Sequence, residues 1–174
     1  MNRGQGSVKK FKGLIIAAAV LAVIGVGIWG IGKATAEYPE IGEAVSYAVN
    51  DADGIVMEME EPKWSPFLGY SFRWKVSADS ENTYTFNADG SGFEFLECFK
   101  DGQWHRLAYV QDEFPYNETT FTLGKEEGSA LEGSLVQKYD DYGTRLEPGL
   151  YRLTLEMREN NADMRYLAQE FQIQ

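Results

Sequence analysis

Polarity along this chain follows two different periods. From Leu14 to Ile31, eighteen consecutive residues are uncharged and mostly apolar, with Arg3, Lys9, Lys10 and Lys12 ahead of them. From Ile55 onward, polar and apolar residues alternate in short runs. At the helical rise, eighteen residues cover roughly 27 Å, close to the ~30 Å hydrocarbon core of a bilayer, so residues 14–32 are expected to form a single membrane-spanning helix. A buried core helix fits less well, because a run with no polar face would need protein on every side. Four basic residues precede the run and only Lys33 closely follows it. The positive-inside rule therefore keeps the basic tail 1–13 in the cytoplasm and places everything after Lys33 outside.

A second reading of the same segment stays open. Ala34-Thr35-Ala36 has the small-x-small pattern of a signal-peptidase site, and cleavage after Ala36 would release a secreted domain. Length favours the uncleaved anchor, since the apolar region of a signal peptide usually runs about 7–15 residues. With no cysteine near the run, lipoprotein processing is excluded. Residues 33–54 then read as a juxtamembrane linker. Within it, Ile41, Ala44, Val45, Ala48 and Val49 recur at helical spacing and predict a brief amphipathic helix from about Pro39 to Asn50. Asn50-Asp51-Ala52-Asp53-Gly54 breaks that helix. The string matches the start of a calcium loop but lacks the later acidic ligands and the closing glutamate, so it reads as a turn.

Past Ile55 the period is two. Tyr70, Phe72, Trp74 and Val76 point one way while Ser71, Arg73 and Lys75 point the other, and Tyr151, Leu153, Leu155 and Met157 alternate in the same manner with Arg152, Thr154, Glu156 and Arg158. This is the signature of antiparallel strands with one wet face. Nine runs are expected to be strands: Ile55–Glu60, Gly69–Val76, Thr83–Ala88, Phe93–Lys100, Gln103–Val110, Thr119–Leu123, Leu131–Gln137, Leu150–Arg158 and Met164–Gln174. Asp101-Gly102 suits the positive-φ positions of a tight hairpin between two of them. Short strands about ten residues apart, with no long helical pattern between, predict an all-β antiparallel sandwich over 55–174. Pro148 and Gly149 make a turn just before Tyr151, whose hydroxyl can bond back to the chain upstream as in a tyrosine corner.

Charge narrows the partners. Five of the 16 basic residues lie before Glu37 and none of the 27 acidic ones does, so the exported part carries 11 basic against 27 acidic residues, a net −16. Nucleic acid and anionic lipid surfaces are disfavoured as partners of such a body. About 138 residues suffice for one domain with a proper core. The single cysteine, Cys98, allows no internal disulfide, so burial alone must hold the domain together.

Candidate chemistry is sparse. His105 is the only histidine and no serine or aspartate motif marks it as a base; one His and one Cys also fall short of a zinc site. The acid pairs Glu126-Glu127 and Asp140-Asp141 read as solvated loops rather than a glycosidase dyad or calcium site. No catalytic residue, metal or cofactor is therefore assigned. Most aromatic rings are needed for the core, which leaves Trp64, Phe114 and Tyr116 as the exposed rings that could grip a sugar or a protein. Asn117-Glu118-Thr119 matches a glycosylation acceptor and is read as coincidence.

Met57-Glu58-Met59-Glu60 with Pro62 and Ser65-Pro66, then Tyr84-Thr85-Phe86, Lys100-Asp101-Gly102-Gln103-Trp104-His105-Arg106-Leu107, Leu146-Glu147-Pro148-Gly149-Leu150-Tyr151-Arg152 and Leu167-Ala168-Gln169-Glu170-Phe171 form a series of strings. Together, over roughly residues 55–174, they resemble a bacterial immunoglobulin-like domain of exported Gram-positive proteins. The resemblance implies a fold and a location and carries over no catalytic or ligand residues. In Phe114–Ser134 the chain departs from it, being longer and more acidic. The expected function is a membrane-tethered extracytoplasmic module, without catalysis, that binds an envelope protein or serves as a surface scaffold. Two alternatives are a module that binds wall carbohydrate through loop aromatics, and an accessory or inhibitory domain of an envelope enzyme.

Overall fold

A computed structural model describes residues 38–65, 69–88, 93–108, 119–124, 129–136 and 145–174. The apolar segment 14–31, the Ala34–Ala36 pattern, Phe114, Tyr116 and the acid pairs 126–127 and 140–141 lie outside the described residues. Every regular element within them is a strand: β1 (Ile41–Val45), β2 (Ile55–Met59), β3 (Lys63–Ser65), β4 (Gly69–Ala78), β5 (Tyr84–Ala88), β6 (Glu94–Lys100), β7 (Gln103–Leu107), β8 (Thr119–Leu123), β9 (Ser129–Val136), β10 (Gly149–Glu159) and β11 (Asp163–Ile173). The described residues are all-β, and their strand pairings are antiparallel.

Strand β10 organises the larger sheet. One edge pairs with β11 along its whole length, Gly149↔Ile173 to Glu159↔Asp163. Its other edge pairs first with β6, from Tyr151↔Cys98 to Leu155↔Glu94, and further on with β5 at Arg158↔Thr85. Beyond β6 come β7 and then β1, while β8 extends the sheet past β5. Asp101 and Gly102 take φ of 52° and 83°, which gives the β6–β7 hairpin the turn its dipeptide predicts. In the smaller sheet β4 is central, with β2 and β3 on one edge and β9 on the other.

Alternation along these strands builds one apolar core from both sheets. Phe72 and Val76 of β4 meet Tyr84 and Phe86 of β5, Leu96 of β6, Leu153 and Leu155 of β10 and Leu167 of β11, all essentially without solvent exposure. Cys98 is a buried free thiol in this core, and burial raises its pKa. On the opposite face of the smaller sheet the expected wet side is present: Arg73, Lys75 and Ser77 are exposed, and Lys75 sits between Glu58 and Glu132 in register.

The helix expected over Pro39–Asn50 is not formed; Ile41–Val45 is strand β1, paired with β7, and the domain thus begins before Ile55. The reason is visible in the burial. Ile41, Ala44 and Ala48 are exposed, whereas Val45, Tyr47 and Val49 are partly covered, so the segment has a period of two and not the helical spacing of its aliphatic residues. So short a helix is also marginal on its own, and β7 satisfies backbone groups that water would otherwise compete for. The three-residue β3, unmarked by any alternation, carries Trp64.

Trp74 shows how tightly the two-sheet core is shaped. Its indole lies across Gly133 of β9, its register partner, and its N–H donates to Glu94 Oε2 at 2.6 Å. A Cβ built at Gly133 would stand 2.2 Å from Trp74 Cζ2. Gly133→Ala is therefore expected to destabilise the fold by about 1–3 kcal/mol, the range typical of overpacking, and to shift the urea midpoint downward with an unchanged slope.

Candidate functional site

The outer face of the larger sheet, predicted to be wet, holds the least ordinary chemistry of the molecule. Arg152 and Thr154 alternate with the core residues of β10 as the sequence implies, yet they are 4% and 0% exposed, and Glu97 of β6 opposite them is 0% exposed. Arg152 Nε and the Thr154 hydroxyl, the latter at 2.9 Å, both donate to Glu97 Oε2. The Tyr47 hydroxyl donates to Oε1 of the same carboxylate. All three donors fix one buried anion from three directions, which is the condition under which a charge tolerates removal from water.

Aromatic rings complete the enclosure. Arg152 packs over Trp104 at 4.4 Å from Cζ to ring centroid, and Arg106 lies 3.5 Å over Phe95. Tyr47 stacks on Tyr166 of β11 with centroids 3.8 Å apart and an 11° interplanar angle. Tyr47 belongs to Ser46–Asn50, which leaves β1 and crosses the sheet toward β11. Asn50 ends that crossing: its backbone N–H donates to Tyr166 O at 2.8 Å, its side-chain amide donates to Ala168 O at 3.0 Å, and its Oδ1 accepts from Ala168 N at 2.9 Å. A φ of 58° at Asn50, which asparagine tolerates well, lets the chain turn there. Burial and the neighbouring Glu97 carboxylate hold the Tyr47 hydroxyl well above the usual tyrosine range.

Beside this centre, a groove of about 590 Å³ runs along Gly42–Val45, Tyr47 and Arg106–Ala108. Near the β6–β7 hairpin tip, Phe99 lies edge-on to Trp104 and is well exposed. His105 faces Gly42, with Nδ1 3.2 Å from its carbonyl oxygen, and stands in register with Cys98. Among the described residues no three His, Cys, Asp or Glu side chains gather as metal ligands.

Trp64 of β3 is 47% exposed, with Arg145 5.4 Å over its ring. Whether Phe114 or Tyr116 joins it lies outside the described residues. Tyr151 donates its hydroxyl to Glu147 O at 2.8 Å across the Pro148-Gly149 turn and stacks on Phe171. Burial pushes its pKa up to about 12.

Glu97, Arg152, Tyr47 and Asn50 were not singled out from the sequence. One signal is present: Glu97 lies between Phe95 and Phe99, and two aromatic neighbours at i±2 are unusual for a charged residue on a solvated strand face. No protein-family model matches the chain, and no curated protein matches it significantly in sequence.

Two outcomes are expected from this chemistry. Glu97→Ala leaves Arg152 buried without its anion and is expected to cost about 3–5 kcal/mol in urea unfolding, whereas Glu97→Leu combined with Arg152→Met recovers most of the loss. In alkali, the folded state keeps the Tyr47 and Tyr151 protons that the unfolded chain releases near pH 10. Their contribution is then complete below pH 10 and declines as pH rises from 10 toward 12 and beyond. The urea midpoint of the native protein should fall over that window, and fall less in Tyr151→Phe and Tyr47→Phe.

Proposed function

We propose that the protein is a membrane-tethered, extracytoplasmic module with an immunoglobulin-like sandwich fold that binds another protein or acts as a surface scaffold and performs no chemistry of its own. The basic tail followed by the eighteen-residue apolar run supports the tether and its orientation. Two antiparallel sheets around one core support the sandwich. The observation that carries protein binding is strand β1. Among the described residues it pairs only with β7, its first four residues are exposed, and Ile41 and the nearby Tyr38 present apolar surface beside the groove. An edge of this kind accepts an extended segment of a partner through backbone hydrogen bonds.

A second reading rests on Trp64, whose exposed ring and neighbouring Arg145 suit the face of a sugar. Affinity capture separates the two. Full-length protein, cross-linked in its own membranes, is expected to recover a discrete envelope protein that Tyr38→Lys with Ile41→Lys loses and Trp64→Ala retains. Recovery of nothing above background, or a wall-polysaccharide interaction abolished by Trp64→Ala alone, would overturn the protein-binding reading.

A further inference from the structure

The segment Ser46–Asn50 covers a charge, and that sets it apart from an ordinary loop packed on a sheet. Lifting a cover from apolar surface exposes that surface to water at a cost proportional to its area. Lifting Tyr47 from Glu97 and Arg152 instead returns hydration to two ions that have none, which offsets part of the cost of opening. The attachment is correspondingly light. Ser46, Ala48 and Asn50 are exposed, and Tyr47 and Asn50 anchor the segment to the sheet through contacts with Glu97, Arg152, Tyr166 and Ala168. Beneath it, β6, β10 and β11 are joined by continuous backbone ladders.

We propose that Ser46–Asn50 is a latch that opens and closes as a unit while the two sheets remain folded, and that its opening uncovers the Glu97–Arg152 pair in a recess walled by Trp104, Phe95 and Tyr166. Small cooperative openings of this kind are expected where few side chains hold a segment and the surface beneath it is polar. Through β1 the latch is continuous in sequence with the apolar run at Leu14–Ile31.

The register supplies a specific reporter. Ala168 is directly opposite Thr154, but its N–H donates to Asn50 Oδ1. Along an antiparallel pair the backbone groups of successive residues point to alternate edges, so the amides of Leu167 and Gln169 face β10. Only the Ala168 amide depends on the latch. Native-state hydrogen exchange on the full-length protein in nanodiscs, resolved by residue, therefore reads latch opening separately from unfolding of the sheet. Ala168 is expected to exchange ~100-fold or more faster than Leu167 and Gln169, and Tyr47→Ala to accelerate Ala168 by a further ~10-fold while its two neighbours hold their rates. Tyr47→Phe, which keeps the ring stacked and removes only the hydroxyl donor, gives a smaller acceleration of the same amide and serves if the alanine variant does not fold. Equal exchange at all three amides, or a variant that speeds all three together, would show that the segment opens only with the whole domain and would overturn the latch.

Discussion

A carboxylate with no access to water on the outside of a sheet is the constraint around which this domain is arranged. Glu97 and Arg152 occupy positions whose side chains point away from the shared core, so the core does not cover them. Protection has to come from a further layer, and the chain supplies one from its own beginning. Val45, Tyr47 and Val49 tuck down while the residues between them face out, and the crossing is long enough to carry Tyr47 over the ion pair before Asn50 turns it. Trp104 and Phe95 close the remaining sides with rings that also stack on the two arginines. The larger sheet is thus buried on both faces around β6 and β10, while the smaller one keeps a solvated charged face.

How much of this was legible follows from which forces act locally. All nine strands expected from Ile55 onward are present, some with ends shifted by a few residues, because alternation against a common core is a strong local signal. The Asp101-Gly102 hairpin and the Tyr151 hydrogen bond were legible for the same reason: each is decided within a few residues by turn geometry. Strand β3 leaves no mark in the sequence, since three residues are too few to show a period. Strand β1 reads as a helix because its aliphatic residues fall at helical spacing, while the residue that governs the segment, Tyr47, is an aromatic whose partners lie far off in sequence, at positions 97 and 166.

The buried pair was illegible for a deeper reason. Periodicity reveals that Arg152 and Thr154 share a face opposite to Leu153 and Leu155, and polar composition then assigns that face to water. Only tertiary structure can show that another part of the chain has been laid over it. Glu97, Arg152 and Tyr47 come from three separate regions, and their meeting depends on the order β7-β6-β10-β11 rather than on any motif. Trp64 illustrates the opposite case. It was expected at the surface from the surrounding Ser-Pro and aromatic residues, and it is exposed because β3 is a short strand at the margin of its sheet.

Asn50 has a bearing on how many copies of this protein can be crowded together. Tyr166 O and both backbone groups of Ala168 point out of the sheet toward solvent, where an unoccupied strand would otherwise offer itself as a template to a neighbouring molecule. By satisfying all three, one asparagine takes the place that a foreign strand would fill along this stretch of β11. The side chain supplies two of the three bonds and the backbone N–H the third, so the pairing sites that Asn50 occupies are closed to an identical copy.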